Sequence, residues 1–155
     1  MKKIFASAVV CERILNEIDG VASAIRIADV FTLRMADSNQ IHETPVIPIS
    51  LLVSIRVVEY DDRDHFTQVV MIRPDGEETP FSEPMASKII QRVSTVPGGL
   101  NFAIQVGVIA KQWGLHRIKV LFDGEEVAEA IFTLLRGEDA SIPERSPSLI
   151  EQESA

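Results

Sequence analysis

The densest group of residues capable of chemistry is Asp61-Asp62-Arg63-Asp64-His65, which lies between two apolar segments. Carboxylates in a loop between strands can hold Ca²⁺, which takes about six to eight oxygen ligands. The spacing differs from that of an EF-hand loop, and Arg63 opposes cation binding. Aspartate is also a favoured turn residue. We therefore interpret the segment as a polar hairpin turn, and keep as an alternative a Ca²⁺-responsive module that uses Asp61, Asp62 and Asp64.

The histidines and the single cysteine are the other residues with catalytic or metal-binding chemistry. His42, His65 and His116 are scattered and lack partners at metal-ligand spacing. His116 lies in an alternating segment, which predicts a partly buried packing residue rather than a base. Cys11 has no histidine near it in sequence, and the chain contains neither a Gly-x-Ser-x-Gly elbow nor a phosphate-binding loop motif. We predict no catalytic residue, metal or cofactor, and keep as a second alternative an enzyme whose residues meet only in the folded chain.

Two aromatic residues could contact a partner. Trp113 and Tyr60 are the only residues of their type in the chain. Stacking platforms for bases or sugars normally need several exposed aromatics, so a single tryptophan beside Gly114 is typical of a cap on the core. Tryptophan is also enriched among the residues that dominate protein interfaces. We accordingly keep Trp113 and Tyr60 as candidate partner contacts.

Charge and composition narrow the classes of protein. The 155 residues suffice for one domain with its own core, and a hydrophobic fraction of 46% is too high for a wholly disordered chain. With 15 basic and 23 acidic residues the net charge is −8, and no basic patch is visible, which predicts binding neither to nucleic acid nor to anionic membranes. Residues 137–155 hold five acidic residues against Arg145, a net charge of −4. This composition predicts a single domain at 1–136 and an acidic, disordered tail after it.

The first eleven residues, MKKIFASAVVC, have two interpretations. Two lysines, a short apolar run and Cys11 are typical of a bacterial lipoprotein signal, which would place the protein on a membrane. However, Val9 and Val10 stand where such a signal carries a small residue before its cysteine, and more apolar residues lead directly into Asp19-Gly20. We favour a first strand covered on both faces, with Cys11 buried, and hence a cytoplasmic protein. A lone cysteine also forms no internal disulfide, as is usual in reducing compartments.

Alternation of apolar and polar side chains, the signature of strands, dominates the chain. It runs through five segments, at residues 21–31, 51–60, 66–73, 102–108 and 117–122. Three Asp-Gly pairs, which favour hairpin turns, stand at Asp19-Gly20, Asp75-Gly76 and Asp123-Gly124. These features predict an all-β protein, an antiparallel β-sandwich of immunoglobulin-like architecture with about seven or eight strands.

One stretch departs from this alternation. Met85, Ile89 and Val93 have helical spacing, which favours a short helix over an irregular strand. The expected sandwich therefore contains at most one short helix, within residues 85–93.

The C-terminal half reads NFAIQVGVIAKQWGLHRIKVLFDGEEVAEAIFTL, in which an apolar strand, a glycine-led strand, an Asp-Gly turn and a last strand follow one another. This order resembles that of an uncharacterised bacterial family, the domain of unknown function numbered 6941. The matching positions are Gly114, Ile118, Val120, Asp123, Gly124 and Phe132. His116 stands where an aromatic residue is usual, and the N-terminal hairpin is also similar, so the resemblance covers roughly residues 3–135. It implies a β-sandwich of bacterial or phage origin and carries over no catalytic residue.

A strong fold signal without a catalytic constellation predicts a non-enzymatic binding or scaffolding protein. Its partner would be another protein or a second copy in a homodimer, since twofold dimers are the commonest oligomers. Exposed sheet edges offer a generic mode of binding, in which the edge pairs with a strand of the partner.

Overall fold

The computed structural model describes residues 3–16, 22–33, 45–59, 61–91 and 97–137. These residues form ten strands and no helix: β1 (Ile4–Asn16), β2 (Ala22–Ile27), β3 (Val30–Leu33), β4 (Val46–Val57), β5 (Asp64–Ile72), β6 (Glu78–Pro80), β7 (Met85–Lys88), β8 (Gly98–Ile109), β9 (Gly114–Phe122) and β10 (Glu125–Arg136). In this part of the chain no helix is long and apolar enough to cross a membrane. Asp19, Gly20, His42, Tyr60 and the predicted tail beyond Gly137 lie outside the described residues.

The strands form two sheets that face each other. One sheet has the order β2-β1-β4-β8, and the other has the order β3-β10-β9-β5-β6, with β7 also paired to β5. All pairs are antiparallel except β3 with β10. The predicted all-β sandwich is confirmed, and it fits an immunoglobulin-like architecture. The described residues contain ten strands rather than seven or eight, because β3, β6 and β7 are too short to leave an alternating pattern in the sequence.

The core lies between the sheets and is built from every second residue of the long strands. In β4, the inward side chains from Ile47 to Val57 are at most 6% exposed, and in β9 those of Ile118, Val120 and Phe122 are at most 1% exposed. Each fully buried side chain of this size contributes about 1.5–3 kcal/mol. The alternation of apolar and polar residues in the sequence therefore correctly predicts which side chains of these strands face the core.

β1 confirms the strand prediction for the N-terminal stretch. Cys11 lies inside β1, between Ile27 of β2 and Ser50 of β4, and its side chain is 0% exposed. The expectation that both faces are covered is wrong at Phe5, which is 53% exposed. Phe5 lies on the outer face of the four-stranded sheet, where the ammonium group of Lys3 stands 5.3 Å from the centre of its ring.

The prediction of a helix near residue 85 is wrong. Met85–Lys88 is strand β7, which pairs with residues Asp64–Thr67 at the edge of β5. The helical spacing of the apolar residues does not produce a helix here, because the edge of β5 offers more backbone hydrogen bonds than a single helical turn can form. Ile89 is nevertheless buried, at 3% exposure.

The two described Asp-Gly pairs both form turns, with different backbones. Asp123 and Gly124 have φ values of +53° and +84°, the left-handed pair that suits a two-residue hairpin, and they join β9 to β10. At Asp75-Gly76 only the glycine has positive φ, +85°, and the turn leads from β5 to β6.

Candidate functional site

A polar cluster joins the β4–β5 connection to the β9–β10 turn. His65, at the start of β5, is 0% exposed, and its ring lies between two carboxylates. Nδ1 is 2.8 Å from Asp123 Oδ2, and Nε2 is 2.7 Å from Asp61 Oδ1. Arg63 donates to both carboxylates, with Nε 3.1 Å from Asp61 and an Nη 2.7 Å from Asp123. The backbone N–H of Phe66 donates to Asp123 Oδ1 at 3.0 Å.

The geometry of this cluster indicates that its role is structural. A carboxylate only accepts hydrogen bonds, so both contacts of the His65 ring are satisfied together when both ring nitrogens carry a proton. The ring also stacks on Phe122, with centroids 4.8 Å apart. His65 has both nitrogens engaged and no exposed surface, so it has no free nitrogen with which to act on a substrate. Its two aspartates hold a loop and a hairpin turn together across 58 residues of sequence.

Asp123 makes the cluster sensitive to acid. Burial by itself raises the pKa of this carboxyl, but the Phe66 N–H, the His65 ring and Arg63 outweigh it, and the pKa lies below its ordinary value of 3.8. Ionised Asp123 therefore stabilises the fold above that ordinary pKa, and the contribution is lost as the pH falls through the lowered value.

We expect the difference in free energy of unfolding between wild type and Asp123→Asn to shrink as the pH falls from about 4 to about 2, because Asp123 is then protonated in the folded protein. Urea unfolding of both proteins across this range measures it. A difference that grows towards acid pH would contradict the assignment.

The aspartates proposed for Ca²⁺ do not converge. Asp61 faces His65 and Arg63, Asp62 lies 3.9 Å from the ammonium group of Lys88, and Asp64 belongs to the ladder between β5 and β7. Among the residues that the structure describes, no three His, Cys, Asp or Glu side chains are arranged to hold a metal ion.

His116 and Cys11 are parts of the framework. His116, 1% exposed, donates from Nδ1 to the carbonyl of Gly114 at 3.0 Å and stacks on Phe132 with centroids 5.0 Å apart. Burial is the main reason why its pKa lies below the ordinary value. It is more deeply buried than the sequence predicts. The Cys11 thiol points at the carbonyl of Ser50 at 3.6 Å, and burial raises its pKa.

Trp113 lies at the margin of the core. Its side chain is half-buried against the core cluster, and the guanidinium of Arg136 covers its ring at 5.2 Å from the centroid. The Trp113 side chain thus packs on the core and is still partly accessible. Tyr60, the other predicted contact, lies outside the described residues.

β8 forms an edge of the four-stranded sheet, and part of this edge is unpaired. Gly99 exchanges two backbone hydrogen bonds with Ile90, of 2.9 and 3.1 Å, on the side away from β4. Because backbone polar groups alternate in direction along a strand, every second residue after Gly99 also directs its N–H and C=O away from β4. On the opposite side, the N–H of Ala110 bonds the carbonyl of Pro45 at 2.9 Å, in agreement with this alternation. The residues that point outwards are Asn101, Ala103, Gln105, Gly107 and Ile109, which we call the open edge.

At four members of the open edge, the outward backbone groups have no partner among the described residues. Within the described residues, no backbone group bonds Asn101, Ala103, Gln105 or Gly107 on this side, and all four residues are exposed. At Ile109 the carbonyl already accepts the N–H of Lys111 at 2.8 Å. The open edge is therefore a row of donors and acceptors ready for another strand.

A groove of about 340 Å³ runs beside the open edge, between the two sheets. One wall is formed by Val106–Ile109 of β8. The rest of the lining comes from β5, β6 and the residues that follow them, and from Lys111 after β8: Met71, Arg73, Thr79, Pro80, Phe81 and Lys111. The inward-facing apolar side chains of an added strand would lie against the groove residues Val106, Val108, Met71 and Phe81.

Sequence reasoning missed this edge, although one signal was present. Residues 93–110 carry no charged side chain, in a chain with a net charge of −8. Natural sheet edges are commonly protected by charged residues or proline. Strand order is needed to see that this uncharged strand lies at an edge.

Comparisons with known proteins show distant likenesses only. No protein family model and no curated protein sequence matches the chain, and membership of family 6941 stays a prediction. Among solved structures, the chain is similar to part of the alkylpurine DNA glycosylase AlkC from Pseudomonas fluorescens (12% identity, TM-score 0.49, 86% of this chain and 30% of that one). It is also similar to part of a β-glucosidase from Listeria innocua (9% identity, TM-score 0.49, 86% and 16%) and to an immunoglobulin-like protein from Pseudomonas aeruginosa (13% identity, TM-score 0.37, 85% and 91%). The chain thus spans less than a third of the length of the first two proteins.

Proposed function

We propose that this protein is a non-enzymatic binding or scaffolding protein, and that it acts by adding a strand of a partner polypeptide to the open edge of β8. The observation that carries the proposal is the row of backbone groups at Asn101, Ala103, Gln105 and Gly107 that point away from β4 and bond no other described residue. A strand added to a sheet edge bonds through its main chain and places alternate side chains in pockets beside the edge. Each such hydrogen bond contributes about 0.5–1.5 kcal/mol net.

The groove supports the same interpretation. An added strand would direct every second side chain to the inner face, where Val106, Val108, Met71 and Phe81 offer apolar contacts. These contacts add specificity to main-chain pairing that is otherwise independent of sequence.

The described chemical groups favour binding over catalysis. His65 and His116 are buried and bonded to framework atoms, and the Cys11 thiol is enclosed beside Ser50. Nucleophilic or acid–base catalysis needs such a group within reach of a substrate.

The proposed location is the cytoplasm of a bacterium or a phage-infected cell. The resemblance to family 6941 supports the origin. The place of Cys11 inside β1, paired on both sides, supports a structural role for the stretch that resembles a lipoprotein signal.

Ala103→Pro is expected to abolish strand addition without unfolding the protein. The N–H of Ala103 points away from β4, so proline removes a free donor and places its ring where the added strand would lie. We expect at least tenfold weaker association, measured by native mass spectrometry of the complex purified from cells that produce the protein naturally.

Ala103→Thr is the matched control, because threonine keeps the backbone N–H and suits a strand. It should bind as the wild type does. Recovery of the same complex with Ala103→Pro, at unchanged stability, would show that the open edge is not the binding site.

A further inference from the structure

We infer that the strand added to the open edge is β8 of a second copy of this chain, antiparallel and related by a twofold axis at Gln105. The inference rests on the proposed function and names its partner. In the assembly, the four-stranded sheets of two copies would form one continuous eight-stranded sheet. Three properties of the open edge point to a second copy: its limits, its symmetry and its lack of charged side chains.

The open edge is closed at both ends by the chain itself. At one end Ile90 occupies the position beside Gly99 through two backbone hydrogen bonds. At the other end the N–H of Lys111 bonds the carbonyl of Ile109, where β8 ends. The outward residues between these limits run from Asn101 to Ile109, and Gln105 is the middle one.

This centre defines the register of two antiparallel copies. Gln105 lies opposite Gln105 of the partner subunit, Ala103 opposite the partner's Gly107, and Asn101 opposite the partner's Ile109. The partner strand then ends before it reaches the place that Ile90 holds. A register centred nearer the start of β8 would drive the partner strand into Ile90.

Side chains suit this register on both faces. On the outer face, Ala103 would lie opposite the partner's Gly107, a pair without bulky side chains. On the inner face, Ile104 would lie opposite the partner's Val106, and Phe102 opposite the partner's Val108, beside the groove. Ile104 and Phe102 are only half-buried in the single chain. Apolar cross-strand pairs of this kind each contribute favourably to a sheet.

Charge favours a second copy over a foreign partner. Two copies with a net charge of −8 repel each other, so their contact must be free of like charges. Residues 93–110, which include all of β8, carry none. A foreign partner of so acidic a protein would be selected most readily through complementary charge, but β8 carries no charged side chain, and the Arg56 guanidinium beside it is already bonded to Asn101.

Cysteines placed on and off the axis test the register. Hydrogen-bonded antiparallel pairs have Cα atoms about 5.5 Å apart, within the disulfide range of about 4.4–6.8 Å. Gln105→Cys should therefore form an intermolecular disulfide under mild oxidation. Ala103→Cys should not, because position 103 and its mate are displaced by four residues along the strands, about 13 Å. Both sites are exposed, and the native Cys11 is fully buried.

Charges on the axis test the contact in solution. Gln105→Lys alone and Gln105→Glu alone each place like charges directly opposite one another, and each should weaken the wild-type dimer by up to about fivefold in sedimentation or light scattering. An equal mixture of the two variants should restore it as a heterodimer.

Three results would overturn the inference. They are a purified wild-type protein that stays monomeric at the highest attainable concentration, a dimer unaffected by both charge variants, and a cross-link as efficient at position 103 as at 105. If the protein is monomeric while Ala103→Pro still loses a cellular partner, strand addition stands and the second copy is wrong. If a dimer forms and Ala103→Pro leaves it intact, the second copy at the open edge is wrong, and the proposed function fails as well only if the same variant also recovers the cellular complex unchanged.

Discussion

Replacing Asp123 by alanine is expected to lower the free energy of unfolding by about 1.5–3 kcal/mol through the lost hydrogen bonds to a charged group. The carboxylate accepts from the Phe66 N–H, His65 and Arg63, and its loss leaves the buried His65 ring with Asp61 alone. Alanine must also adopt a φ of +53°, which costs about 1–2 kcal/mol without a polar side chain to help. Urea unfolding at pH 7 measures the effect.

Asp75→Ala is the matched control for this prediction. Asp75 also precedes a glycine in a turn, and its carboxylate accepts from the Glu77 N–H and the Gln112 amide, whereas that of Asp123 meets the fully buried ring of His65. We expect a loss below about 1 kcal/mol. Asp123→Asn should fall between the two alanine variants, since asparagine tolerates positive φ but carries no charge. Equal losses at positions 75 and 123 would mean that the cluster is not what stabilises the β9–β10 turn.

Phe132→Ala is the second large effect, expected to lower the free energy of unfolding by about 3–5 kcal/mol. Phe132 is 0% exposed in β10, stacks on His116 and meets the ring of Phe31 edge-on with centroids 5.8 Å apart. Truncation leaves a cavity and removes the apolar face that covers a buried histidine. It also takes away the contact that packs β3 onto β10, where the two strands run parallel.

Phe66→Ala is the matched control, because it makes the same substitution at an exposed position. Phe66 is 54% exposed on β5, so the same truncation should cost below about 1 kcal/mol. Urea unfolding and near-ultraviolet circular dichroism of both variants separate core from surface. A loss at position 132 no larger than at position 66 would contradict the placement of Phe132 in the core.

The polar cluster shows how far local sequence reasoning reaches into a site. The Asp61–His65 stretch is recognisable as a polar loop, and Asp123 as a hairpin residue. Their meeting is not recognisable, because 58 residues separate His65 from Asp123 and only the pairing of β5 with β9 brings them together. The same aspartates that suggest a cation site in sequence turn out to bind a histidine and an arginine of their own chain.

Alternation and turn chemistry depend on near neighbours, and the sequence by itself determined them: the long strands, the buried face of β4 and β9, and the left-handed turn at Asp123-Gly124. Tertiary structure alone decided the order of the strands. Period-two alternation says which side chains face the core, and it is silent on which strand lies next to which. For that reason Met85–Lys88 pairs with β5 as a strand despite its helical spacing, and β8, a long apolar strand like β4, lies at the edge of its sheet rather than at the centre. The open edge on which the proposed function depends is a consequence of that order.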